Sequence, residues 1–173
     1  TYGSTEPSDH GLFYGIDKFA ADLCQGKLSG KYSPLQAAKW LLDLRTENES
    51  LLAKISAAGY ENSTPEYLAM INDMKMLGAF AAYHAFKIKA AFALAMWRYT
   101  NEASYLHDCS GFFDDAIAHW QNLADMGLKA YYKDLDFSSA GSLTRRGTWA
   151  DLTRELIADK NTLERLLKDN NVQ

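Results

Sequence analysis

The sequence predicts an all-α protein, an antiparallel up-down bundle of about five helices, three of them long. Apolar residues recur at alternating steps of three and four through most of the chain. Twice such a run opens with a hydroxyl residue followed by proline, the pattern of an N-cap and first helical position. No segment alternates polar and apolar residues as a half-buried strand would.

The 173 residues are enough for one domain with a real core, and residues 1–173 read as a single helical-bundle unit. A composition 47% hydrophobic and 23% charged is that of a globular chain rather than a disordered one. The net charge of −4 lies in the second part: residues 1–100 balance, while residues 101–173 carry eight basic and twelve acidic side chains. That lacks the basic footprint nucleic-acid phosphates require, so no nucleic-acid partner is expected. The start at Thr1 rather than Met, with no signal-peptide pattern, predicts a processed protein or a piece of a larger multidomain one.

In "GLFYGIDKFAADLCQGKL" the residues Phe13, Ile16, Phe19, Ala20 and Leu23 share one side of a short first helix, punctuated by Gly26 and Gly30. Ser33 caps the second helix with Pro34 at its first position. Leu41, Leu44, Asn48, Leu51, Ile55 and Ala58 form its expected inner stripe, and Gly59 its stop. Thr64 and Pro65 repeat the device for a third helix reaching Tyr99. One of its stripes runs from Leu68 through Gly78, Ala85 and Ala95 to Tyr99, and a second holds Met70, Leu77, Phe80, Ala91 and Leu94. Apolar character on more than one side marks the central helix of a bundle. Its stretch Ala79–Trp97 is long enough to cross a bilayer, but Lys87 and Lys89 would each cost about 2.5–3.5 kcal/mol there, so no membrane span is expected.

A fourth helix begins near Asn101 or Glu102 and places Leu106, Cys109, Phe113, Ala116, Trp120, Leu123 and Gly127 or Leu128 inward. The long irregular connection "YYKDLDFSSAGSLTRRG" follows. The last helix runs from about Trp149 to Leu167, with Trp149, Leu152, Leu156, Leu163 and Leu166 inward. Thr148 and Asp151 at its start have the spacing of a capping box, with Asp in place of Glu or Gln.

Catalytic patterns are scarce. Di-metal carboxylate bundles need Glu-x-x-His, and none of His10, His84, His107 and His119 has a Glu three residues before it. Neither a metal site nor a cofactor is expected. Asp115 and His119, at i and i+4, read as a surface pair opposite the core. His84 reads as a core histidine with one hydrogen-bond partner, or as a buried base. Asp114 and Asp115 point about 100° apart on a helix and cannot share one glycosidic oxygen. Cys24 and Cys109 show no metal or redox spacing, and both sit among apolar residues as buried free thiols do.

Most aromatics fall in step with the apolar stripes. The exceptions are Tyr2, His10 and Tyr14 near the start, and Tyr131, Tyr132 and Phe137 before the long connection. Arg145 and Arg146, the only adjacent arginines, have no packing explanation. The candidate ligand-contact or domain-contact residues are therefore Arg145, Arg146, Trp149, His10 and Tyr14.

Three stretches carry a resemblance: "GKLSGKYSPLQAAKWLLDL", "AHWQNLADMGLKAYYKDLDF" and "RRGTWADLTRELIADKNTLERLL". Together they resemble helical accessory modules of large bacterial carbohydrate-active enzymes, chiefly secreted glycoside hydrolases. The shared elements are a "GKYTP"-like helix start, a tryptophan-bearing helix ending in paired tyrosines, and a "RGHWADR"-like start of the last helix. In this chain Thr148 stands in the histidine's place. The resemblance, over about residues 26–167, implies a non-catalytic domain of a secreted or periplasmic polysaccharide-processing protein. Its implied partners are the catalytic domain of the same chain and a glycan touched by one loop. The competing readings are a stand-alone binding module and, below it, a helical lyase-like enzyme centred on His84.

Overall fold

In the computed structural model, residues 7–59, 64–137 and 146–170 are described. The described residues form five helices in order: α1 (Ile16–Gln25), α2 (Pro34–Ala57), α3 (Pro65–Thr100), α4 (Ala103–Ala130) and α5 (Trp149–Asp169). Both proline-led starts form as expected. Ser33 and Gln36 make a capping box on α2, and the Thr64 hydroxyl accepts the Tyr67 N–H on α3. α1 ends at Gly26, whose φ of 66° is a left-handed conformation that suits glycine.

The 36 residues of α3 extend about 54 Å and form the spine of the bundle. α2 runs antiparallel to it, since Asn48 reaches Met74 while Arg45 lies against Gly78. α4 also runs antiparallel to α3: Cys109 packs on Ala90 and Ala93, Trp120 on Tyr83, and Leu123 on Met76. α5 returns along α4, with Leu156 packed in the cluster of Ala116 and Trp120. The alanines of α3 let its neighbours approach closely, and Ala82 and Ala85 are fully buried. Among the described residues Leu106 is the largest side chain wholly withdrawn from water.

Between α4 and α5 the chain forms two short strands, β1 (Leu135–Asp136) and β2 (Arg146–Gly147). They pair antiparallel, Leu135 with Gly147 and Asp136 with Arg146. Two residues per strand are too few for alternation to register in sequence.

Several inward assignments shift. On α2 the inner face is Ala38, Leu41, Leu42, Arg45, Asn48, Leu52 and Ile55, while Leu44 (60% exposed) and Leu51 lie outside. The helix carries apolar residues on two faces, and α3 takes the one that includes Arg45 and Asn48. Leu23 of α1 and Leu68, Met70, Leu77, Phe80 and Tyr99 of α3 are also exposed. On α4 the inward residue is Gly127, not Leu128. Cys109 is buried as expected, but Cys24 is exposed, and both are free thiols. No helix among the described residues is long and apolar enough to cross a membrane.

Candidate functional site

Trp149 organises one end of the bundle. A Cβ at Gly127 would stand 2.5 Å from Trp149 Cε3, so only glycine lets the indole lie against α4. The Trp120 indole N–H donates to the Trp149 carbonyl at 3.0 Å, tying α5 to α4. Tyr131 and Phe137 meet the Trp149 ring edge-on, each at 5.5 Å between centroids.

These aromatics border an open groove of about 330 Å³, lined by Asp73, Met76, Leu77, Phe80, Leu123, Tyr131 and Trp149. Leu77 is 64% and Phe80 41% exposed, so the groove continues onto an apolar surface of α3. Its one carboxylate, Asp73, accepts the Tyr131 hydroxyl. Glycosidic hydrolysis takes two flanking carboxyl groups. This groove offers one, already engaged, and the rest of its lining is aliphatic or aromatic.

The turn before Trp149 is held by backbone and carboxylates. The capping box at Thr148 forms: Asp151 Oδ2 accepts the Thr148 N–H at 2.8 Å and its hydroxyl at 2.9 Å. Those hydrogen bonds, the backbone one first, hold the Asp151 carboxyl below the usual range. Gly147 has φ 144°, and a Cβ there would meet Asp151 Oδ2 at 2.7 Å. Arg146 forks onto Asp134, Nε to Oδ1 at 3.0 Å and Nη2 to Oδ2 at 2.7 Å, across the base of the β1–β2 ladder. That hydrogen bond lowers the Asp134 pKa and raises that of Arg146. Arg145 lies outside the described residues.

His10 and Tyr14 sit elsewhere. Tyr14 is buried against Phe19 at 5.3 Å, Phe19 in turn packs on Phe92, and the Tyr14 hydroxyl accepts the Ser29 N–H. His10 is exposed, and its carbonyl accepts Lys31 Nζ. Trp149 reaches α3 at Met76, sixteen residues from Phe92, which separates the two regions by about 24 Å along the helix. Arg146 and Trp149 thus share the turn into α5 by sequence, each with its own partners, and Tyr14 and His10 lie in a different region.

Sequence reasoning missed a second aromatic surface. The backbones of Phe13 and Tyr32 form a parallel bridge, and Phe13, Tyr32 and Trp40 cluster with centroids 4.9–6.4 Å apart. Tyr32 and Trp40 remain partly exposed. The signal was the i, i+8 spacing of Tyr32 and Trp40 across the α2 start, which places both on one side only once the turn into α2 is known.

The two histidine assignments change. His84 lies edge-on to Phe80 at 4.4 Å and Tyr83 at 4.9 Å, and it makes no hydrogen bond among the described residues. Burial first, then the nearby Lys87, lowers its pKa. His119 does not ion-pair with Asp115. It faces α2, where Arg45 Nη1 donates to its Nε2 at 3.0 Å, and its ring stacks on Phe86 at 5.4 Å. Asp114 pairs instead with Lys160 of α5. Among the described residues no three His, Cys, Asp or Glu side chains are grouped to hold a metal ion.

No protein-family model matches the sequence, and no curated protein matches it. Among solved structures the fold is similar to part of a GH138 enzyme targeting pectin rhamnogalacturonan II, with a TM-score of 0.73 at 14% identity. The match covers 90% of this chain and 23% of that one, so this chain spans about a quarter of that enzyme's length. At that identity the two share a fold.

Proposed function

We propose that this chain is a non-catalytic helical accessory domain of a secreted or periplasmic glycoside-hydrolase-like protein. It packs on the catalytic domain of that protein and offers the Trp149 end for contact with it or with its glycan. The observation carrying this reading is the shared fold, which accounts for about a quarter of the pectin-targeting GH138 enzyme. The groove supports it: Leu77, Phe80 and Trp149 present an apolar surface to water, the mark of a contact region, without a pair of free carboxylates for hydrolysis. Arg146, held by Asp134 and three residues before Trp149, is the proposed polar contact, with Arg145 beside it in sequence.

The test is to assay the isolated 173 residues against a panel of pectic and other glycans. No turnover is expected. Turnover that disappears on His84→Ala, or on any other point change within this chain, would overturn the reading. Leu77→Asp with Phe80→Asp should lower the activity of the full-length protein while the isolated chain keeps its helical circular dichroism. Unchanged full-length activity would remove the groove as the contact.

A further inference from the structure

On the other side of α3 from the groove, α2, α3 and α4 line a half-open polar cleft of about 290 Å³. Arg45 and Asn48 of α2, Lys75 of α3, and His119 and Asn122 of α4 face it. Gly78 makes the room: a Cβ there would stand 3.0 Å from Asn48 Nδ2. Arg45 is held on two sides, Nε by Glu49 at 2.7 Å and Nη1 by His119 at 3.0 Å. Its Nη2, the Lys75 ammonium and the Asn122 amide have no hydrogen-bond partner among the described residues. Asn48, by contrast, is engaged with the Met74 carbonyl at 2.6 Å.

Lys75 and Asn122 line the cleft while open to water, whereas the Arg45 side chain is only 29% exposed. A network that only locked α2 in register would need neither the open volume nor a guanidinium braced on two sides with its Nη2 left facing that volume. We propose that this cleft binds a small carboxylate ligand of about monosaccharide size, such as a uronate. Arg45 Nη2 and Lys75 take its carboxylate, Asn122 takes a hydroxyl, and Leu52 and Met126 cover its apolar face. Arg45 and Lys75 against Glu49, with His119 neutral, leave one net positive charge, which matches a monoanion better than phosphate. Glu49 acts as a positioning residue, because its grip on Nε fixes the plane of the guanidinium. The inference does not depend on the accessory-domain reading, and its failure leaves that reading as it stands.

Titration calorimetry and amide NMR on the 173-residue chain, with glucuronate, glucose, acetate and inorganic phosphate, test it. Saturable glucuronate binding with Kd of about 1 mM is expected, a strength within reach of so small a ligand. Amide shifts should centre on Gly78, His119 and Asn122, and glucose should bind far more weakly. Lys75→Gln, a change at an exposed position that leaves the fold intact, should raise Kd about tenfold or more through loss of a charge-assisted hydrogen bond. Arg45→Lys should weaken binding further. Four results would overturn the proposal: no saturation by about ten times the expected Kd, equal binding of glucose, tighter binding of phosphate, or affinity unchanged in Lys75→Gln.

Discussion

Arg45 of α2 donates its Nη1 hydrogen to Nε2 of His119 on α4, 3.0 Å away and 74 positions along the chain. Arginine only donates, so the His119 nitrogen it meets accepts, and the ring beside this cation is neutral. Burial and then Arg45 lower the His119 pKa, with Asp115 and Glu49 opposing them. The unfolded chain therefore takes up a proton at higher pH than the folded one. The stability linked to His119 is present above about pH 6.5 and is lost as the pH falls further. Thermal melts between pH 7.5 and 5 should show falling Tm, with a shallower fall in His119→Gln. His84 is shifted in the same direction, so the residual slope in that variant belongs to it in part. Histidine NMR titrations separate the two, and a His119 midpoint at or above that of free imidazole would refute the assignment.

Gly127 and Trp149 form a matched pair. Gly127→Ala gains about 1 kcal/mol of helix propensity but drives a methyl into the indole, a clash of about 1–3 kcal/mol. Net destabilisation of up to about 2 kcal/mol is expected in urea unfolding, with altered tryptophan emission. Trp149→Ala removes a half-buried ring and should cost about 2–3 kcal/mol, below the range for a fully buried one. A stability gain in Gly127→Ala would show that the indole does not rest there.

Gly147→Ala should loosen the start of α5. Its φ of 144° costs a non-glycine residue about 1–3 kcal/mol, and the added methyl displaces the Asp151 carboxylate from the cap. Hydrogen exchange at Thr148 should quicken most, with α4 unaffected. The lowered Asp151 pKa adds an acid limb of the usual sign: the cap is intact above about pH 4 and lost as the pH falls through the folded pKa. Asp151→Asn should remove that limb.

The two thiols should differ sharply in reactivity. Burial pushes the Cys109 thiol up to about 11, and it packs between α3 and α4, while Cys24 is exposed. Alkylation at pH 8 should modify Cys24 promptly and Cys109 only as the chain unfolds. Two equal rates in the native protein would contradict the packing of α4 on α3.

The helices were legible because their signals are local. Ser33–Pro34 and Thr64–Pro65 fixed two starts, and the Thr148–Asp151 capping box a third. Faces were less legible. On α2 the leucines at 41, 44 and 51 suggested one stripe, yet Leu44 and Leu51 face water. Both helix faces carry apolar side chains, and periodicity alone does not say which one meets a neighbour. Gly78 decided it, by leaving space opposite Asn48 that a larger residue would have filled.

The candidate site was half legible. Trp149 stood out in sequence, but its groove depends on Met76 of α3 and on Gly127 and Tyr131 at the end of α4, both distant from it along the chain. Arg45 carries no local signal of its own, and its place in a cleft became visible only once α2 lay on α3.

From sequence alone came the fold class, the helix starts and the scarcity of catalytic patterns. Each rests on spacing within one helix, where i, i+3 and i+4 neighbours meet whatever surrounds them. The tertiary structure decided which faces pair, which polar groups share a cleft, and which aromatics stay open to water. Those are contacts between residues tens of positions apart, and they depend on the packing volume of single residues such as Gly78 and Gly127, which periodicity does not record.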